Sequence, residues 1–321
     1  MKPDPGLSFR QLRAFVAVAE LQGFSAAAER LHLTPSAISV LIKTFEARIG
    51  ARLFDRGSRH FGITAIGAEL LPDVKRLLAD LQHALDRIDQ TLARDRGRVA
   101  VATTPWLAAG LVPAMLASFR KTAPGIDLEL LDVPAARLAG CVLDGEADIA
   151  IGTLDAPRAE LVAFDLHRDS LMLAVPIAHR LAGARQCAWK ALAGETLIGL
   201  TPGSGIRTLT GRTFAALGIA PIEGTQVNQV SSALALVQAG LGAAVLPAFT
   251  LRDLDPSQAR AMPLVRPRVE RPIAAIVHRL RAPTPAAEAL LAHVRRELPA
   301  RLKARDPMRA HHQAPPGDGR R

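Results

Sequence analysis

Tyrosine is absent from this sequence of 321 residues, and tryptophan and cysteine occur only twice each. The two thiols, Cys141 and Cys187, lie far apart, with no Cys or His partner at metal-ligand spacing. That argues against a disulfide framework and against any metal site, and for reduced, buried thiols. No uninterrupted apolar run approaches the roughly 20 residues that a membrane-spanning helix requires. The opening residues, MKPDPGLSFRQLRAF, hold neither the apolar stretch nor the cleavage site of a secretory leader. A cytoplasmic protein with no membrane partner is therefore expected. Acidic charge is also scarce: 30 Asp and Glu face 40 Lys and Arg, leaving a net charge of +10. The excess is uneven. Residues 1–61 carry nine basic against five acidic groups, and from Arg295 onward eight stand against three. A polyanionic partner fits that distribution.

What is present describes a globular chain, 49% hydrophobic and 22% charged, long enough for two or three domains. Phe9, Leu12, Phe15, Val16 and Ala19 recur at helical spacing and predict a first helix ending near Gly23. A short helix over Ser25–Leu31 follows, then a polar turn and a second helix opened by Thr34 and Pro35. Thr34 is a suitable N-cap, and Pro35 sits where a missing N–H costs nothing. Ile38, Leu41, Ile42, Phe45 and Ile49 form the inward stripe of that helix and leave Ser36, Ser39, Val40 and Lys43 outward. Two strand-like pieces, Leu53–Arg56 and Phe61–Thr64, flank the basic turn Gly57–His60. This is the outline of a winged helix-turn-helix, although any small helical bundle shares part of it.

After Thr64 the apolar residues Leu71, Val74, Leu78, Leu81, Leu85, Ile88 and Leu92 alternate at steps of three and four. That spacing is a heptad seam suited to pairing two helices; a single helix lying on its own domain is the other reading. From Val99 onward short apolar strands alternate with helices, which predicts βαβ units and a parallel sheet. The chain crosses out near Leu161–Arg168 and back near Pro263–Arg268. Two lobes joined by two strands follow, the architecture of periplasmic solute-binding proteins. Ligands in such sheets bind at the carboxyl ends of strands, against helix N-termini. Those positions hold Thr103 and Thr104 with Trp106 beyond them, Thr153, and Thr201, Ser204 and Arg207. Hydroxyls, free N–H groups and a guanidinium suit a small anion. Catalytic patterns are not found: Gly203-Ser204-Gly205 lacks the surroundings of a nucleophile elbow. Gly240 and Gly242 end a helix rather than open one, the reverse of what a dinucleotide needs. No cofactor is expected, and the chain is not expected to be an enzyme.

The string Gly23-Phe24-Ser25, Ala27-Ala28, Leu31, Thr34-Pro35-Ser36-Ala37-Ile38-Ser39, Ile42, Glu46, Gly50, Leu53-Phe54, Arg56, Thr64 and Gly67 resembles the N-terminal domain of the LysR-type transcriptional regulators. Weaker markers extend the resemblance: Pro124–Leu128, Gly145–Gly152, His179–Ala182, and Leu236–Gly242 leading to Leu246-Pro247. The fold class implied is α/β, with an all-α-type winged helix-turn-helix in front of a two-lobed, periplasmic-binding-protein-like effector domain. The expected organisation is a DNA-binding domain over residues 1–64 and a linker or dimerisation helix over 65–96. An effector domain over 97–300 follows (lobe I, 97–165 and 266–300; lobe II, 166–265), then a disordered basic tail, 301–321. The expected DNA contacts are Ser25, Thr34, Pro35, Ser36, Ser39, Val40 and Lys43, with Arg52, Arg56 and Arg59 from the wing. The resemblance adds Gln229 and Asp132 to the effector contacts. It implies an operator dyad in double-stranded DNA, a dimer or tetramer, a small effector, and RNA polymerase as a further partner. Three positions depart from the family pattern. Phe45 stands for a usual Leu, Ala135 for a frequent hydroxyl, and Val40 for a frequent Arg or Gln. The alternatives kept open are a solute-binding receptor without a DNA role and an α/β enzyme with a fused assembly domain.

Overall fold

The computed structural model describes residues 6–56, 61–93, 97–154 and 156–304. The chain divides into two compact units, one of Met1–Asp89 with Leu143–Glu146 and one of Gln90–Val142 with the chain from Ala147 onward. The first opens with α1 (Phe9–Leu21), whose N-terminus is closed by a capping box: Ser8 Oγ accepts from the Gln11 N–H, and Gln11 Oε1 accepts from the Ser8 N–H. Helix α2 (Phe24–Arg30) ends in a Schellman motif. The Leu33 N–H reaches the Ala28 carbonyl and the His32 N–H reaches Glu29, with His32 itself left-handed at φ 53°. The tight turn of the motif is thereby built. Thr34 then starts α3 (Pro35–Ile49), its hydroxyl accepting from the Ala37 N–H, and Gly50 ends it at φ 75°. Strands β1 (Phe54–Arg56) and β2 (Phe61–Ile63) pair antiparallel, Phe54 opposite Ile63.

Phenylalanine does the work that tyrosine and tryptophan often share. Phe15 of α1 meets Phe45 of α3 edge-on and Phe54 of β1, each at 5.6 Å between ring centres. Phe54 in turn stacks on Phe61 at 5.4 Å, and Phe24 of α2 meets Phe61 edge-on. The rings clip the hairpin to the helices, each pair adding about 0.5–1.5 kcal/mol beyond burial. Helix α4 (Ala65–Ala93) begins on this core. Thr64 caps it through the Gly67 N–H while donating its hydroxyl proton to the Arg52 carbonyl. At Gly67 the helix passes so close to the wing that a Cβ would stand 2.4 Å from the Leu53 carbonyl oxygen.

The second unit contains β3 (Gly97–Thr103), α5 (Pro105–Gly110), α6 (Val112–Thr122), β4 (Ile126–Asp132), α7 (Leu138–Leu143) and β5 (Ile149–Gly152). Next come β6 (Leu161–Pro176), β7 (Cys187–Ala188), β8 (Thr196–Leu200), α8 (Gly205–Leu217), β9 (Ile222–Val227), α9 (Val230–Gln238) and β10 (Ala244–Pro247). It closes with β11 (Ala259–Val265), β12 (Glu270–His278) and α10 (Pro285–Ala304). The main sheet runs β4-β3-β5-β12-β6-β11-β7, with β10 also on β6. β8 and β9 pair parallel, and the parallel bridge from Leu197 to Ala243 leads from β8 to the start of β10.

The 16-residue β6 belongs to both lobes. Its first stretch pairs with β12, from Leu161 opposite His278 to Ser170 opposite Glu270, and its second pairs with β10 and β11. Because the outgoing and returning strands lie antiparallel, the sheet is mixed rather than wholly parallel. The helix expected over Trp106–Arg120 is broken at Gly110–Leu111, ahead of Pro113, into α5 and α6. The return expected near Pro263–Arg268 is corrected: Pro263 lies in β11, whose N-terminal part borders β6 within the second lobe while β7 covers Leu264 and Val265, and the crossing back is made by β12. One apolar core packs α5, α6 and α10 on the β3–β5–β12 face; two more cover the faces of the second lobe. No helix among the described residues is long and apolar enough to cross a membrane.

Candidate nucleic-acid interface and ligand cleft

At about 100° per residue, Ser36, Ser39, Val40 and Lys43 share an arc of roughly 100° on α3. Ile38, Ile42 and Phe45 are buried on the opposite side. Ser36, Val40 and Lys43 are exposed and Ser39 is half-buried, so the stripe faces outward as expected. Thr34 is exposed, but its hydroxyl is engaged as the cap and shares a hydrogen bond of 3.0 Å with Ser36 Oγ. Ser25 at the start of α2 and Pro35 at the start of α3 are exposed nearby. Lys43 and the exposed Arg52 border one concavity with Glu46, Ala47, Gly50 and Ala51. The wing's backbone at Arg56 is in β1; its side chain and Arg59 lie outside the described residues.

Glu46, one of the residues that carry the resemblance, was not among the expected contacts. Its Oε1 accepts from the Leu53 and Phe54 N–H groups at 2.9 and 3.3 Å, tying α3 to the wing. A carboxylate eight positions before a strand gives no pattern that would announce this. Glu20 plays a similar part for α4. Burial raises its carboxyl, but hydrogen bonds from Lys75 and Arg30 outweigh that and hold it below the usual range.

The heptad seam divides. Val74 is 2% exposed in the core of its own unit, and Leu71 and Leu78 pack against the same core. The expectation that Val74 lies in a seam between subunits is corrected: the first turns of α4 cover the winged helix. Leu81, Leu85 and Ile88 are exposed by 37%, 49% and 57%. Leu92's side chain lies outside the described residues.

In the α/β unit, the parallel register sets Thr103 beside Asp132 and beside Ile151, so the carboxyl ends of β3, β4 and β5 form one edge. Thr103 is wholly buried and donates to the Ile151 carbonyl at 2.8 Å. The expected contact from its hydroxyl is corrected, because a central strand uses that group to reach its neighbour. Thr153 donates to the Pro272 carbonyl at 2.7 Å. Thr104 caps α5 through its backbone only, and Asp132 is exposed. Trp106 is half-buried, its ring edge-on to Phe249 at 6.5 Å. Phe249 lies in the 3₁₀ turn Ala248–Asp253 after β10, so this pair links the two lobes.

On the second lobe, Thr201 donates to Asn228 Oδ1 at 2.7 Å, closing the ends of β8 and β9 together. Ser204 and Gln229 stand at the N-termini of α8 and α9 with their side chains uncommitted to the cap. Arg207 is corrected as an expected anion contact: its guanidinium donates to the Leu200 carbonyl and to Glu223 at 3.0 and 3.1 Å. Asp169, also unforeseen, is 2% exposed where β6 changes lobes. Its Oδ1 accepts from the Phe249 N–H at 3.1 Å, and Arg271 of β12 lies 3.9 Å from Oδ2. A buried carboxylate thus fixes the same 3₁₀ turn that Trp106 touches.

Comparison with known proteins carries the same pattern along nearly the whole chain. Residues 9–68 match the bacterial regulatory helix-turn-helix protein family of LysR type, and residues 93–299 match the LysR substrate binding domain. The uncharacterized HTH-type transcriptional regulator YfeR of Shigella flexneri is 30% identical over 302 residues, 93% of this chain and 97% of that protein. A probable hydrogen peroxide-inducible genes activator of Mycobacterium avium is 30% identical over 241 residues, 74% and 76% of the two chains. The crystal structure of CbnR, a LysR family transcriptional regulator, superposes with a TM-score of 0.64 at 26% identity, covering 90% of this chain and 98% of that one. These relatives are regulators rather than enzymes. The chain is a DNA-binding transcriptional regulator of the LysR family, with a substrate-binding domain behind its helix-turn-helix.

Proposed function

We propose that this regulator acts in the cytoplasm as a homo-oligomer, a dimer or tetramer, whose paired winged helices bind an operator dyad. One reading helix covers half a site, and a two-fold pair reads both halves on successive turns of DNA. The observation that carries this is the outward stripe Ser36, Ser39, Val40 and Lys43 opposite the buried face of α3. Arg52, Arg56 and Arg59 would meet phosphates, with Ser25, Thr34 and Pro35 at the flank. Leu81, Leu85 and Ile88, exposed on one helix, support pairing through the distal part of α4. Ser39→Ala and Lys43→Ala should each weaken operator binding in gel shifts while leaving thermal stability nearly unchanged; two variants that bind like wild type would refute the assignment.

The effector we propose is small and anionic, taken at the strand ends of the α/β unit. Thr104, Ser204 and Gln229 open helices there with side chains uncommitted to the caps, and this supports a polar ligand. Thr153 and Thr201 retain acceptor capacity, and Asp132 borders the first-lobe edge. Binding shifts DNA affinity only if the ligand prefers one assembly state. Thiol-based peroxide sensing is disfavoured. Cys141 and Cys187 are both buried, and burial pushes the Cys187 thiol up, away from the reactive thiolate. A thermal-shift screen of small carboxylates should find a stabilising ligand, and stabilisation by neutral analogues alone would contradict the anionic reading. RNA polymerase is the further partner we propose at the promoter.

A further inference from the structure

We infer that Val40 reads the C5-methyl group of a thymine in the major groove. The inference rests on α3 presenting its outward stripe to DNA. Val40 is 61% exposed, more than any other large apolar side chain described in the first unit; Leu77 follows at 59%, Ile88 at 57% and Phe9 at 55%. Its neighbours on the stripe, Ser36, Ser39 and Lys43, are all polar. The Thr44 hydroxyl, next on that flank, donates to the Val40 carbonyl at 2.8 Å.

A β-branched side chain in a helix holds essentially one rotamer, so the isopropyl group is a rigid apolar surface at a set place. It can neither donate nor accept a hydrogen bond. Against the acceptors and amino groups of the major groove it would strip water and return nothing, which disfavours those bases. The thymine methyl is the apolar feature of that groove among the unmodified bases. Val40 therefore discriminates twice, by covering a methyl and by refusing a polar edge. A 5-methylcytosine offers the same chemistry, so the group recognised is a pyrimidine C5-methyl, met as thymine in unmodified DNA.

The test uses the full-length protein. High-affinity duplexes are selected from a random-centre library, and each T·A pair of the selected half-site is replaced in turn by dU·A, which removes only the methyl. At one position per half-site the wild type should lose about fourfold in affinity, the worth of one buried methyl group. Val40→Ala should bind the thymine duplex more weakly and lose the penalty for uracil at that position. Placing C·G there should weaken wild-type binding, and 5-methylcytosine·G should recover part of it. The inference is overturned if uracil costs nothing at every position, if the penalty persists in Val40→Ala, or if methylation of cytosine changes nothing. Lys43→Ala, run in parallel, separates two failures. If it weakens binding while uracil is neutral, the face is right and Val40's role is wrong; if it binds like wild type, the face falls and the inference with it.

Discussion

Gly67 and His32 show how backbone geometry constrains single positions. A Cβ at Gly67 would stand 2.4 Å from the Leu53 carbonyl oxygen and 2.7 Å from Ile63 Cγ1. Gly67→Ala is therefore expected to destabilise the first unit by about 1–3 kcal/mol, the usual range for overpacking, measurable by urea unfolding. His32 occupies the left-handed seat of the turn between α2 and α3 at φ 53°, where glycine is the favoured residue. His32→Gly should raise stability by up to about 0.5–1 kcal/mol; a loss of stability would mean that the imidazole makes a contact worth more than the strain. Much at this scale was legible in the sequence. Thr34, Pro35 and the outward serines follow from capping preference and helical period, both local rules. Thr103 and Arg207 did not, because strand-end position says where a side chain starts and not which partner takes it. In each case an internal acceptor, the Ile151 carbonyl or the Glu223 carboxylate, lies on a different element.

Helix α4 shows the same limit at the scale of an element. Its repeat of threes and fours was plain in the sequence, but a repeat does not name the surface that covers it. Val74 belongs to the winged helix, whereas Leu85 and Ile88 stand exposed. Val74→Asp should unfold the first unit, since it buries an unpaired charge. Leu85→Asp with Ile88→Asp should leave it folded and lower the mass found by light scattering; an unchanged oligomer would place the subunit contact elsewhere. Helix α10 carries a pH dependence. Burial holds the His293 imidazole below its ordinary value of 6.5, against the opposing pull of Glu297. The unfolded chain then binds more protons as pH falls, so this contribution is present above about pH 6.5 and is lost on acidification through the lowered value. The melting temperature should fall between pH 7 and pH 5, and less steeply in His293→Gln.

For the molecule as a whole, the outgoing crossing was readable where β6 begins, but the return, expected near Pro263–Arg268, is made by β12 from Glu270 onward in its pairing with β6, because register between segments about 100 residues apart leaves no local trace. That pairing fixes Asp169 and Phe249 where the lobes join, and with them the turn beside Trp106. The proposed stripe on α3 would make this a charged, sequence-selective DNA reader. Affinity should fall steeply with salt, as expected when lysines and arginines displace counterions from phosphates. The direct measurement is a competition gel shift of the full-length protein on its adjacent intergenic DNA against random duplex at moderate salt. Preference for the intergenic fragment is expected, reduced in Ser39→Ala and Lys43→Ala. Equal affinity for the two duplexes would contradict it.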